Sequence, residues 1–194
     1  MDSKTKKLNI PVRDICFISI FTAITAVCAP IGIPMPMGVP FTMQTFAIPL
    51  AGVILGAKRG TLSVIVYILL GIIGVPVFTG FRGGFGVLFG ATGGYIISFP
   101  VMALFAGISS DLCYKNKFGK TKTAWILAAG LILGSAINYI SGMTVGKFVT
   151  SCDWTQALTI FVLPYIPTAV IKIILAGIFG VTIKKILLKN RILI

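Results

Sequence analysis

Uncharged runs long enough to cross a bilayer, separated by short clusters of lysine and arginine, constrain this chain more than any other feature. Residues 15–33 carry no charge over 19 positions, enough helix to span a hydrocarbon core of roughly 30 Å. Further uncharged runs cover residues 41–57, 61–81, 94–110 and 123–146. From 154 to 183 the only charge is Lys172. Pro164 and Pro167 divide that last stretch, which predicts a short apolar segment and then a sixth helix from about residue 168 to Lys184 and Lys185. A basic start followed by an apolar run resembles a signal peptide, but this run is long and more spans follow, so it reads as a retained first helix. Only 11% of residues are charged, against about a quarter in soluble domains. The expectation is an all-α membrane protein of six transmembrane helices, a single integral-membrane domain over residues 1–194.

The formal net charge of +13 invites a nucleic-acid reading, but its placement speaks for topology. The N-terminal segment (Lys4, Lys6, Lys7, Arg13), the second connection (Lys58, Arg59), the fourth (Lys115, Lys117, Lys120, Lys122) and the C-terminal segment hold 14 of the 17 lysines and arginines. Cytoplasmic loops carry such an excess, so both termini are expected in the cytoplasm of a multi-pass cell-membrane protein. The GKT at 119–121 lacks the glycine that a phosphate-binding loop needs five residues earlier, where Tyr114 stands. Nucleotide binding by this chain is therefore not expected. There is no histidine, and the four cysteines (16, 28, 113, 152) form no close pair, so no metal and no cofactor are expected.

Residues 71–95, GIIGVPVFTGFRGGFGVLFGATGGY, form a glycine-rich loop between the third and fourth spans. They hold nine glycines and one charge, Arg82. Non-helical backbone in so apolar a chain must be buried in protein or line a cavity, because lipid cannot satisfy free N–H and C=O groups. The loop is either a binding site or a connection with close helix packing at glycine. Residues 30–40, PIGIPMPMGVP, cannot be helical; with Met35 and Met37 they read as an apolar loop on the face opposite the N-terminus.

The four acids, Asp2, Asp14, Asp111 and Asp153, all lie outside the middle of a span. Without intramembrane carboxylate or histidine, a membrane enzyme or proton-coupled carrier is not expected. The outer side keeps two well-placed cations, Arg82 and Lys172, with polar Gln44, Asn138, Tyr67, Tyr95 and Tyr139. A cation near hydrocarbon costs roughly 2.5–3.5 kcal/mol on insertion scales. It either snorkels to the headgroups or faces a polar cavity and meets an anion. In the first helix, Ser19, Ala23 and Val27, and likewise Thr22 and Ala26, repeat every four residues, a spacing that lets another helix approach closely.

The pieces VPFTMQT, LGAKRG, YILLGIIGVPVF and GGFGVLFGATGGY, within residues 39–95, resemble the signature of the BioY family, biotin-specific S-components of energy-coupling-factor (ECF) transporters. The resemblance implies six helices around an outward-facing vitamin pocket. It implies biotin as transported ligand, and as partners a transmembrane coupling subunit and two cytoplasmic ATPases. On that basis Gln44, Tyr67, Phe78, Arg82, Gly83, Gly84, Tyr95, Asn138 and Lys172 are the expected substrate-binding residues, with Gly93 and Gly94 also close to the ligand. Ser19, Thr22, Ala23 and Ala26 are the expected partner-helix contact. Two positions depart: the family commonly has an acid three residues before the lysine of the last helix, where Ala169 stands, and often a proline in the middle of the GAT at 90–92, where Ala91 stands. An S-component for another small acid such as lipoate, or a non-transporting membrane scaffold, are the competing readings.

Overall fold

The computed structural model describes residues 11–33, 39–116 and 118–190. Lys4, Lys6, Lys7, Asp2, Met35, Met37, Lys117 and Arg191 lie outside the described residues. The first helix, α1 (Val12–Cys28), stops just ahead of Pro30, which cannot continue it. The uncharged run continues to residue 33, but the helix ends where the proline-rich stretch, read as non-helical, begins. The tail of the run forms β1 (Gly32–Ile33), paired antiparallel with β2 (Phe41–Thr42), so the Pro-rich stretch connects two short strands.

The next helix, α2 (Gln44–Ile72), is a helical hairpin. Gly56, at φ 84° and ψ 177°, occupies backbone space that is essentially reserved for glycine. The chain reverses there: Gln44 and Tyr67 hydrogen-bond to each other, though a straight helix would hold them roughly 35 Å apart. The Asp111 carboxylate accepts the Ala57 N–H at 2.8 Å, satisfying a donor that the turn leaves open. The expected break at Lys58–Arg59 is thus corrected to Gly56. The end of the uncharged run places the break at the basic pair, whereas the backbone turns where only glycine fits.

After residues 73–92 come α3 (Gly93–Lys115) and α4 (Lys120–Thr150). A capping box of Asp153 and Gln156 then starts α5 (Trp154–Phe161), and a 3-10 turn (Leu163–Tyr165) leads to α6 (Ile166–Lys189). Pro167 is accommodated in the first turn of α6, where its missing N–H costs nothing, so the helix begins earlier than residue 168. Among the described residues, four stretches are long and apolar enough to cross a membrane: Gln44–Ile72, Gly93–Lys115, Lys120–Thr150 and Trp154–Lys189.

The hairpin and α3 form the buried centre. Gly52 packs on the Ala103 carbonyl and Gly94 on that of Ser141, contacts that any Cβ would block. The far end of the bundle is tied by ions. Asp14 on α1 meets Arg59 at 2.9 Å, and Asp111 on α3 meets Lys184 on α6 at 3.1 Å. With Asp153 capping α5, each acid among the described residues holds structure together.

Candidate functional site

At the end opposite that ionic cluster lies a cavity of about 450 Å³. Its walls come from the strand pair (Phe41, Thr42), the start of α2 (Gln44, Thr45) and the glycine-rich segment (Phe78, Gly80, Arg82). Tyr95, Phe99, Tyr139 and Tyr165 close the apolar side, and Thr168 and Lys172 of α6 complete it.

Lys172 dominates the chemistry. It is 7% exposed; its Nζ donates to the Thr42 carbonyl and, at 2.9 Å, to Thr45 Oγ1. The Phe41 ring centroid lies 3.7 Å away, a cation–π contact. An ammonium has three donors, so one remains after these two bonds. Among the described residues its charge meets no carboxylate: the two ion pairs are Arg59–Asp14 and Lys184–Asp111. Buried charge is tolerated when paired, and Lys172 lines the cavity.

Arg82 sits at the lip, exposed to the cavity mouth. Its carbonyl accepts the Phe78 N–H at 2.9 Å, closing a tight turn through Gly80 (φ 70°) and Phe81 (φ 57°). The guanidinium makes no ion pair among the described residues.

The remaining expected residues fall into two shells. Gln44, Phe78 and Tyr95 line the cavity with the two cations. Tyr67 stands behind them, fully buried: Gln44 Nε2 donates to its Oη at 2.8 Å, and the Oη donates to the Val77 carbonyl at 3.1 Å. Its ring meets Phe78 edge-on at 5.8 Å. Asn138, also fully buried, lies behind Tyr95 and donates to the Tyr95 carbonyl (3.0 Å) and to Ser98 Oγ (2.8 Å). It braces the wall from outside the lining.

The close approaches of Gly83 and Gly93 are to protein. A Cβ on Gly83 would strike the Val75 carbonyl, and one on Gly93 the Leu88 carbonyl. Gly84, at φ 98°, sends its N–H to the Gly71 carbonyl at 2.7 Å. Of the loop glycines, Gly80 is the one in the lining. The small residues of α1 divide between two faces. Thr22 donates to the Ser63 carbonyl at 2.9 Å and Ala26 packs on the core, while Ser19, Ala23 and Val27 point outward.

Thr42, Thr45, Thr168 and Tyr165 were not foreseen as lining residues. Thr42 and Thr45 fall inside the motif VPFTMQT, which was the available signal. Tyr165 sits between two prolines, and its hydroxyl donates to the Val39 carbonyl, joining the 3-10 turn before α6 to the segment leading into β2.

Apolar helices long enough to cross a membrane surround a pocket lined by a buried ammonium that meets no carboxylate among the described residues, which is the architecture of a membrane protein, and the fold has a solved counterpart. The crystal structure of the S-component for biotin from an ECF-type ABC transporter matches with a TM-score of 0.77 and 27% identity, covering 90% of this chain and 92% of that one. The chain belongs to the BioY family, whose model matches residues 1–189. It is 38% identical over 175 residues to the biotin transporter BioY2 of Lactococcus lactis, covering 90% of this chain and 92% of the relative. It is 37% identical over 175 residues to the biotin transporter BioY of Thermotoga maritima, covering 90% and 98%. BioY is a family of transporter S-components, and the chain is not an enzyme.

Proposed function

We propose that this chain is the biotin-binding S-component of an ECF-type vitamin uptake system, capturing biotin from outside and passing it inward. Counting the two arms of α2 separately, the chain crosses the membrane six times with both termini in the cytoplasm. The ionic end of the bundle then faces inward and the cavity outward, as the basic clusters require. The exposed face of α1 (Ser19, Ala23, Val27) docks the transmembrane coupling subunit, which in turn engages two cytoplasmic ATPases.

The observation that carries this reading is Lys172: a buried ammonium facing a cavity, with no carboxylate partner among the described residues. A ligand carboxylate supplies the missing charge, and Arg82 at the lip adds a second cation that can grip it through two parallel hydrogen bonds. Tyr95, Phe99, Tyr139 and Tyr165 provide an apolar, aromatic seat for the rest of a small, largely apolar acid. Gln44, Thr45 and Thr168 are the polar groups placed to meet ring N–H and C=O groups.

Ala169 favours one alternative. Without an acid in the lining among the described residues, ring N–H groups have only neutral acceptors, and an acid lacking such a ring, such as lipoate, is the competing ligand. Equilibrium binding of labelled biotin to the purified protein, with unlabelled biotin and lipoate as competitors, tests the proposal. One saturable site displaced by biotin alone is expected. Displacement by lipoate alone transfers the assignment to lipoate, and no saturable binding of either leaves a membrane scaffold.

A further inference from the structure

A second cavity, of about 750 Å³, opens on the side of the bundle between the first half of α4 and the second half of α6. Its floor is apolar. Leu127 and Leu131 are buried against Val53 and Ala106, and Ile173, Gly177 and Val181 line the opposite wall. Gly177 leaves room in the groove: a Cβ there would make ordinary contact with the Leu131 and Leu127 methyl groups, at 3.6 and 3.8 Å. One end of the groove is different. Lys120 and Lys185, both exposed, stand at it beside Thr123 and Thr182, and Lys122 lies next to it, 4.2 Å from the centroid of the lining Phe118 ring. Among the described residues no carboxylate lines the groove; nearby Asp111 is held by Lys184 and the Ala57 N–H.

From Lys120 to Leu131 the helix rises roughly 16 Å, about half of a 30 Å hydrocarbon core. The groove is thus one leaflet deep, apolar along its length and cationic at its headgroup end. We propose that it is a binding site for one anionic phospholipid. An acyl chain fills the space over Gly177, and the phosphate and headgroup sit between Lys120 and Lys185; the Thr123 and Thr182 hydroxyls donate to the Phe118 and Ile178 carbonyls and leave the phosphate to the lysines. A plain apolar seam would be wetted by any lipid; the paired lysines select headgroup charge. The site shares no residue with the biotin cavity, so it stands apart from the reading of that cavity.

Native mass spectrometry of the purified full chain, titrated with phosphatidylglycerol and with phosphatidylcholine of identical acyl chains, tests the site. The wild type is expected to retain one phosphatidylglycerol about ten-fold or more tightly than phosphatidylcholine. Lys120→Gln combined with Lys185→Gln should abolish the preference and leave the weak affinity common to both lipids. Gly177→Phe should fill the groove and remove the tightly held lipid with the lysines intact. Biotin binding, measured in parallel, should be unchanged in every variant, which also reports that each is folded. Equal retention of the two lipids by the wild type would mean annular lipid only and overturn the proposal. A preference that survives the double substitution would overturn it as well.

Discussion

At the scale of single residues, the proposed function rests on Lys172 for ligand affinity, and Tyr67 ties Gln44 to the Val77 carbonyl behind the wall. Losing a hydrogen bond to a charged group costs about 1.5–3 kcal/mol, roughly ten- to a hundred-fold in affinity. Lys172→Ala is expected to weaken biotin binding on that scale in an equilibrium titration, without unfolding the protein. Tyr67→Phe leaves the Gln44 amide and the Val77 carbonyl without their partner, deep in the bundle. It should cost about 1–3 kcal/mol of stability, read as a lower Tm in detergent, and weaken binding through a misplaced Gln44. Lys172 was legible in the sequence because a lone cation in a thirty-residue apolar stretch demands an explanation. Asn138 was legible as a buried amide needing partners, but those partners are a backbone carbonyl and a serine behind the wall. Thr45 was not legible: threonines recur along these helices, and only folding brings this one to Nζ of a residue 127 positions away.

At the scale of elements, the decisive feature is the turn at Gly56. Any side chain there faces both a forbidden φ/ψ region and the Asp111 carboxylate, 2.5 Å from an ideal Cβ. Gly56→Ala is expected to destabilise by at least the roughly 1–3 kcal/mol of such backbone strain, again read as a fall in Tm. Asp111→Asn keeps an acceptor for the Ala57 N–H and loses the charge opposite Lys184, so its effect should be smaller. In the glycine-rich segment, Gly83→Val drives a side chain into the Gly74–Val75 backbone and displaces the neighbouring Arg82. Biotin binding should be lost while the protein remains in the membrane; unchanged binding would leave this glycine as loop filler. The elements themselves could be read from where charge stops and starts. The end at Pro30 was legible because proline breaks a helix, whereas the turn at Gly56 and the place of Pro167 inside the first turn of α6 were not, since both depend on backbone geometry that hydropathy does not register.

At the scale of the whole molecule, the cavity lies at one end of the bundle and the ion pairs at the other. The outward face of α1 carries Ser19, Ala23 and Val27, while Thr22 and Ala26 are spent on internal packing. Ala23→Trp should leave biotin binding intact and prevent co-purification with the coupling subunit. Ala26→Trp should instead disturb the core and lower Tm. If Ala23→Trp loses binding and keeps assembly, α1 belongs to the pocket. The repeat of small residues was visible in the sequence, but not which half of it faces out, since both registers share the same spacing. The most direct test of the central claim concerns the ligand carboxylate. Biotin and its carboxamide are titrated into the wild type, Lys172→Ala and Arg82→Ala, and the affinity lost on going from acid to amide is compared. The account predicts a ten- to hundred-fold loss in the wild type that shrinks toward unity in Lys172→Ala. An equal loss in the wild type and Lys172→Ala would show that this ammonium does not read the carboxylate.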